Sequence, residues 1–238
     1  NYFQSSVIDF DKDRSDRSTY KLLGGSIGFY GSTLNTRQYA TKGYLEKLIA
    51  QVFTGRERFE PGNPQEGYSP SPQERQSWLQ ISYMKEAYHT MGPKFTLGWM
   101  AEALYSSKNF SENYTATMMQ AGEFAPTPHS KLMYNEAFRA NQYVAAGIKP
   151  IYVLNDMFQF RTEFYGFTPI FPIKKNALNK AYYGKAFSRF EYMGEVSVIC
   201  HLPFGAISAY VNHYSSPRRE WNVGMTIGWQ LFNYRFVE

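Results

Sequence analysis

The chain has few of the features on which several protein classes depend. It contains one cysteine, Cys200, among 238 residues, so no intramolecular disulfide can form. No apolar run approaches the length of about 18 residues that a membrane-spanning helix needs, and the mean hydropathy is −0.47. The formal net charge is only +5, with lysine and arginine spread along the chain. This charge pattern does not indicate a nucleic-acid partner.

Metal and cofactor motifs are also missing. The four histidines are scattered along the chain: His89, His129, His201 and His213. Because none of them forms a pair four residues apart with another, we expect no metal site, and no motif indicates a cofactor.

One stretch matches a catalytic motif formally. Residues 24–28, GGSIG, fit the G-x-S-x-G pattern of a serine nucleophile elbow, with Ser26 at its centre. An elbow requires a turn from a strand into a helix, whereas this sequence continues as a strand, GFYGST. No glycine-rich oxyanion loop accompanies it. We therefore predict that the chain is not an enzyme and that Ser26 is an ordinary strand residue.

What the chain has in abundance is aromatic residues in a period-2 pattern. Aromatics make up 18% of the sequence, with 20 tyrosines and 19 phenylalanines. The pattern is clearest near the C-terminus, where apolar residues alternate with polar residues or glycine. The apolar members are Val223, Met225, Ile227, Trp229 and Leu231, preceded by Trp221. Strict alternation over this length predicts a β-strand with two different faces.

The alternation and the turn signals predict ten strands. They are residues 19–33, 44–59, 78–89, 95–105, 114–124, 142–154, 158–171, 185–201, 205–214 and 221–231. A loop rich in proline, glycine and serine covers residues 61–76, and a long proline-broken loop carrying Arg139 covers residues 124–141. We set residues 2–5, YFQS, aside as similar to the remnant of an engineered protease site, and we expect the chain to begin in the middle of a longer protein.

Charged residues in the middle of these strands favour a membrane barrel over a soluble β-sandwich, which stays the alternative. A sandwich strand can place a charged face in water. Strands of mostly 11 to 17 residues, short turns that alternate with long polar loops, and aromatics near strand ends are typical of an outer-membrane barrel instead. We predict an all-β, antiparallel outer-membrane barrel domain over residues 1–238. The apolar residues 223, 225, 227, 229 and 231 would face lipid.

The segment FAPTPHSKLMYNEAFRANQYVAAG, followed by five strands, resembles the barrel of the bacterial surface antigen superfamily. That superfamily includes outer-membrane assembly insertases and two-partner-secretion transporters, and the likeness is greatest to the barrel attached to patatin-like phospholipases. Those barrels have sixteen strands. The resemblance implies that this chain is the C-terminal part of such a barrel, with about six N-terminal strands and any periplasmic domain missing. Where the family has glycine and an aromatic after its loop arginine, this chain has Ala140 and Asn141.

The resemblance also implies a function and a location. We expect an outer-membrane barrel of a Gram-negative bacterium that anchors or exports a partner domain. Its partners would be outer-membrane lipid, the outer-membrane assembly machinery and a fused or separate patatin-like domain. The alternatives are a solute porin and a lipid hydrolase that works in the membrane.

Arg139 is the residue that the resemblance singles out. The superfamily folds its loop arginine into the lumen and places an acidic partner on the second strand after the loop, where Glu163 stands here. We therefore predict an Arg139–Glu163 ion pair that holds the loop inside. The alternative is that Arg139 is a solvated loop residue.

Overall fold

The computed structural model describes residues 2–8, 16–62, 75–203, 205–216 and 221–229. Its strands, in chain order, are β1 (Tyr2–Ile8), β2 (Arg17–Ser32), β3 (Gly43–Glu60), β4 (Arg75–Thr90), β5 (Phe95–Ser106), β6 (Gly122–Glu123), β7 (Arg139–Ala140), β8 (Gln142–Val153), β9 (Phe158–Pro169), β10 (Ile173–Lys175), β11 (Ala181–Tyr183), β12 (Glu191–Leu202), β13 (Gly205–Tyr214) and β14 (Trp221–Trp229). Helix α1 (Tyr114–Gln120) and two 3₁₀ turns, Ser130–Leu132 and Glu136–Phe138, complete the described elements.

Ten of these strands form one antiparallel sheet in the order β1-β2-β3-β4-β5-β8-β9-β12-β13-β14. Each of its strands pairs with the sheet strand before it and the one after it along the chain, which is an up-and-down topology. Strands β6 and β7 pair with each other, as do β10 and β11. The predicted all-β antiparallel class is confirmed. Within the described residues the sheet does not close into a barrel, because β1 and β14 are its two outer strands.

Three segments differ from the predicted strands. Residues 114–124 begin with helix α1, because the Asn113 side chain caps the helix and accepts a hydrogen bond from Ala116 N at 2.7 Å. Residues 2–8, part of which we had set aside, form β1 and pair in register with β2. The strand predicted over residues 185–201 starts only at Glu191.

Alternation along the strands gives the sheet two faces of opposite chemistry. On β9, Phe158, Phe160 and Phe164 are exposed on one face, which we call the outer face. The β9 side chains that alternate with them are buried on the inner face, and they are Gln159, Arg161, Glu163, Tyr165 and Phe167. The sheet curls around this inner face. The loop of residues 33–42 reaches across it, so that Tyr39 Oη lies 2.7 Å from Ser208 Oγ of β13.

The core lies between the inner face and residues 107–141, which we call the interior segment. Phe124 and Phe138 of this segment are almost fully buried. Phe124 stacks on Phe167 with ring centroids 5.9 Å apart, and Phe138 meets Tyr214 edge-on at 5.9 Å. Aromatic contacts of this kind add to the free energy gained by burying apolar surface. The prediction that the proline-broken loop folds back toward the strands is therefore confirmed for the described residues.

Helix α1 forms a second, smaller apolar cluster with the β10–β11 hairpin. Tyr114, Met118 and Ala121 pack there against Ile173. No helix in the described part of the chain is long and apolar enough to cross a membrane.

Candidate functional site: the charged inner face

A chain of charged and phenolic side chains lies buried on the inner face, across β4, β8 and β9. Lys149 Nζ donates to Glu86 Oε1 at 2.8 Å, and the Tyr88 hydroxyl donates to the same carboxylate. Arg161 Nη2 donates to Tyr88 Oη at 2.9 Å. The network thus contains two cations, Lys149 of β8 and Arg161 of β9, and each is paired with a carboxylate.

Arg161 and Glu163 form the tightest part of this network. Arg161 Nε donates to Glu163 Oε1 at 2.5 Å, and the Tyr165 hydroxyl donates to Glu163 Oε2 at 2.6 Å. Arg161 is 3% exposed and Glu163 is 5% exposed. Charges removed from solvent to this degree are costly unless they are paired and hydrogen-bonded, as these are. Gly147 of β8 makes room for Tyr165, because a Cβ there would lie 2.2 Å from the ring.

The same network fixes the loop of residues 33–42. Arg161 Nη1 donates to Ala40 O at 3.0 Å, and Gln159 Nε2 donates to Tyr39 O at 3.1 Å. Tyr39 has a φ of 56°, a left-handed conformation that is uncommon for a tyrosine. Burial raises the pKa of its phenol, so the hydroxyl stays neutral. The inner face therefore holds this loop through two carbonyl oxygens and one hydroxyl.

His129 connects the interior segment to β12 and β13. Its ring stacks on Tyr210 with centroids 4.4 Å apart, and its Nε2 lies 2.9 Å from Tyr214 Oη and 2.5 Å from Asn212 Nδ2. Its Nδ1 lies 2.8 Å from Glu195 Oε2. That carboxylate oxygen is buried and makes no hydrogen bond within the described residues.

The predicted Arg139–Glu163 pair is wrong, because each residue has another partner. Arg139 Nη2 lies 2.6 Å from Glu123 Oε2. These two residues are opposite each other in the β6–β7 pair, so the nearest carboxylate comes from the interior segment itself. Glu163 is occupied by Arg161, two residues away on the same face of β9.

Arg139 supports the interior segment from within. Its Nη1 donates to backbone carbonyls at the C-terminal end of α1, those of Met118, Met119 and Ala121, at 3.3 to 3.5 Å. Its guanidinium also lies 4.9 Å from the centroid of the Tyr134 ring. A cation at the end of a helix satisfies free carbonyl groups and interacts favourably with the helix dipole. Arg139 is therefore only partly exposed and is not a solvated loop residue.

Ser26 lies in the middle of β2, where it pairs in register with Gln51 of β3. No helix follows it, because β2 continues to Ser32. The strand placement is confirmed, and the expectation that Ser26 has no catalytic role stays a prediction.

The C-terminal strand places its predicted lipid-facing residues on one face. Val223, Met225 and Ile227 are 79%, 66% and 61% exposed. Trp229 belongs to β14, but its side chain is outside the described part, and Leu231 lies outside the described residues. Contact with lipid stays a prediction.

Sequence reasoning missed Lys149 and His129. Lys149 falls in the largely apolar strand 142–153. Its only sign of facing inward is that it alternates in step with the buried residues Tyr143, Ala145 and Ile151. No local pattern indicates that His129 contacts the sheet, because its partners on β12 and β13 are more than 60 residues away in sequence. Among the described residues, no group of three or more His, Cys, Asp or Glu could hold a metal ion.

The inner face leaves little free space near the interior segment. One cavity, between Phe124, Phe138, Met193 and Tyr214, has a volume of about 10 Å³. That is roughly the room that one water molecule needs. The arrangement is therefore suited to holding segments in place and is too tightly filled here for a ligand.

No family model, no curated protein and no solved structure matches this chain.

Proposed function

We propose that this chain is part of an outer-membrane β-barrel of the assembly or secretion type, which anchors or exports a partner domain and is not itself an enzyme. One observation carries the proposal: the polarity of the sheet is inverted. Apolar side chains are exposed on the outer face, and ion pairs are buried on the inner face. A soluble sheet buries its apolar face, whereas a membrane barrel turns that face to lipid.

The topology supports the assembly or secretion type over other barrels. Five strands of the large sheet precede the interior segment, and five follow it. The bacterial surface antigen barrels that the sequence resembles likewise have five strands after a loop that folds inside. The interior segment packs Phe124 and Phe138 into one core cluster with residues of β8, β9 and β12, which favours a plugged interior over an open solute pore.

Spin labels on β14 test the membrane placement. Cys200 is first replaced by serine, and single cysteines are then introduced at Val223, Met225 and Ile227. Asn222 and Thr226, which alternate with them on the same strand, provide the matched controls. Labels at the three outer-face positions should be accessible to oxygen dissolved in lipid, and the control labels should not be. Labels that report water at all three outer-face positions would refute the proposal.

Conductance separates the proposed function from a porin. In planar bilayers, the parent protein should show little steady conductance, because the interior segment fills the inner face. A large, stable conductance in correctly folded protein would favour the porin.

A further inference from the structure

Three cations lie side by side on the outer face of β2, β3 and β4. Lys21 is directly opposite Arg56, and Arg56 is directly opposite Arg75. All three side chains are exposed. Like charges directly opposite each other on neighbouring strands repel and destabilise a sheet. This row, Lys21-Arg56-Arg75, therefore needs a counter-charge, and it is suited to an anionic group.

Hydroxyl groups next to the row provide further donors. Thr54 and Ser77 are the next outer-face positions on β3 and β4, and their hydroxyl oxygens are 2.9 Å apart. Arg75 Nε donates to Thr54 Oγ1 at 3.1 Å, which orients the guanidinium across the two strands. Arginine and lysine beside hydroxyl groups are the usual ligands of a phosphate group.

The row also lies at one edge of the apolar band of the outer face. Between it and the polar pair Glu46–Lys85 at the other edge, the central outer-face rows are mostly apolar. These rows include Val52 and Leu79, then Ile27 and Ile81, then Phe29 and Leu48. From Lys21 to Gly31, which is opposite Glu46, are ten residues, or about 33 Å along the strand. A strand tilt of about 40° reduces this to a height of about 25 Å, the height of the apolar band in outer-membrane barrels.

The end of the sheet at which the row lies carries the long connections. The longest connections, residues 107–141 and the residues between β9 and β12, leave the sheet there. At the other end, the connections after β4 and β8 are short turns, and the longest described connection is the ten-residue loop 33–42. Long loops are extracellular in outer-membrane barrels, and short turns are periplasmic. The row therefore lies at the level of the outer-leaflet headgroups.

We propose that Lys21, Arg56 and Arg75 bind the phosphate of an outer-leaflet glycolipid. This inference rests on the proposed function, because it needs the outer face to lie in an outer membrane. Charge, hydroxyl donors and the position at the edge of the band agree on a lipid headgroup. The binding of a soluble anion would not require the row to lie at the edge of the apolar band.

The test compares three forms of the protein in nanodiscs. They are the wild type, the triple variant Lys21→Gln, Arg56→Gln, Arg75→Gln, and a control with the same charge change at other exposed lysines. The control substitutions are Lys42→Gln, Lys174→Gln and Lys185→Gln. The nanodiscs contain phosphatidylcholine with either bisphosphorylated lipid A or its dephosphorylated form, and bound lipid is measured by native mass spectrometry. Heat-modifiability on gels reports membrane insertion separately.

The wild type and the control should retain phosphorylated lipid A preferentially. Each basic side chain near an anionic lipid surface contributes roughly a fivefold factor, so the triple variant should bind it about 100-fold more weakly. Inorganic phosphate in excess should not displace the lipid. If it does, the row is a general anion site and the lipid assignment is wrong.

Two failures remain distinguishable. If all three proteins insert and the triple variant retains phosphorylated lipid as well as the wild type, the inference is wrong and the proposed function stands. If the wild type does not insert into lipid, the proposed function fails and the inference fails with it.

Discussion

At the scale of single residues, the inner face shows how charges are kept away from solvent. Arg161 donates to a carboxylate, to a phenol and to a backbone carbonyl, so that each of its nitrogens has a partner. Breaking such a buried pair costs more than the pair contributes, because the remaining charge stays buried.

Replacing Arg161 should therefore destabilise the fold strongly. We expect Arg161→Met to lower the free energy of unfolding by about 3 kcal/mol, because Glu163 loses its closest cation and Ala40 its donor. The control is Arg58→Met, which removes an exposed ion pair with Glu60 and should cost less than about 1 kcal/mol. Denaturant unfolding in detergent measures both. Equal losses for the two variants would contradict the prediction.

Lys108 should make stability depend on pH in the alkaline range. Burial lowers the pKa of its ammonium to about 8 from the usual 10.5, although the charge of Glu57 opposes the shift. Between these pH values the unfolded chain binds more protons than the folded chain, so the free energy of unfolding rises with pH. Below pH 8 both states are protonated, and the penalty of burying the charge is constant.

We therefore expect the wild type to gain stability relative to Lys108→Met from pH 8 to pH 10, with a constant difference below pH 7. Unfolding midpoints measured for both proteins across this range provide the test. The ring of Trp78, 4.9 Å from Lys108 Nζ, favours the charged form and will reduce the gain. Parallel pH profiles for the two proteins would show that the pKa of Lys108 is not lowered.

At the scale of elements, His129 and two phenylalanines are among the residues that hold the interior segment to the sheet. His129 is 4% exposed, whereas Leu132, three residues further on, is 84% exposed. The two positions lie in the same segment, but His129 is buried against the sheet and the Leu132 side chain is largely exposed. They form a matched pair for measuring how firmly the segment is attached.

Loss of the His129 ring should loosen the segment without unfolding the sheet. We expect His129→Ala to remove a stacking contact and to leave Glu195 and Asn212 with fewer partners, at a cost of about 2 kcal/mol in local opening. Amide exchange at Phe124, whose N–H donates to Phe138 O at 2.9 Å, should become roughly 30-fold faster. Hydrogen exchange with mass spectrometry measures it. Leu132→Ala should leave this rate unchanged, and an equal acceleration in both variants would refute the assignment.

At the scale of the whole molecule, the two faces of the sheet should respond in opposite ways to the same charge. Ile81 lies on the outer face near the middle of the apolar band, and Gln80 beside it lies on the inner face. Arginine on the lipid face at the bilayer midplane costs about 2–4 kcal/mol. Ile81→Arg should therefore reduce the inserted fraction in vesicles, and Gln80→Arg should not. The heat-modifiable band on gels measures insertion, and an equal loss from both variants would contradict the membrane orientation.

Local patterns in the sequence predicted most of the strands and the chemistry of their faces. Nine of the predicted strands are present, because period-2 alternation and turn residues act locally, and only the strand at 114–124 is replaced by a helix. That error arose because the apolar–polar alternation is weak there and the Asn113 side chain caps a helix. The alternation of Phe158, Phe160 and Phe164 with Arg161 and Glu163 also indicated that charges share one face of β9.

Which charges meet could be seen only in the folded arrangement of the chain. Arg139 had several carboxylates within reach of a folded loop, and the β6–β7 pair placed Glu123 directly opposite it. Glu163 was already satisfied by Arg161 on its own strand. His129 lies next to Glu195 only because the interior segment folds back onto β12. Alternation assigns a side chain to a face, but an ion pair depends on distances between segments far apart in sequence, and the curl of the sheet determines those distances.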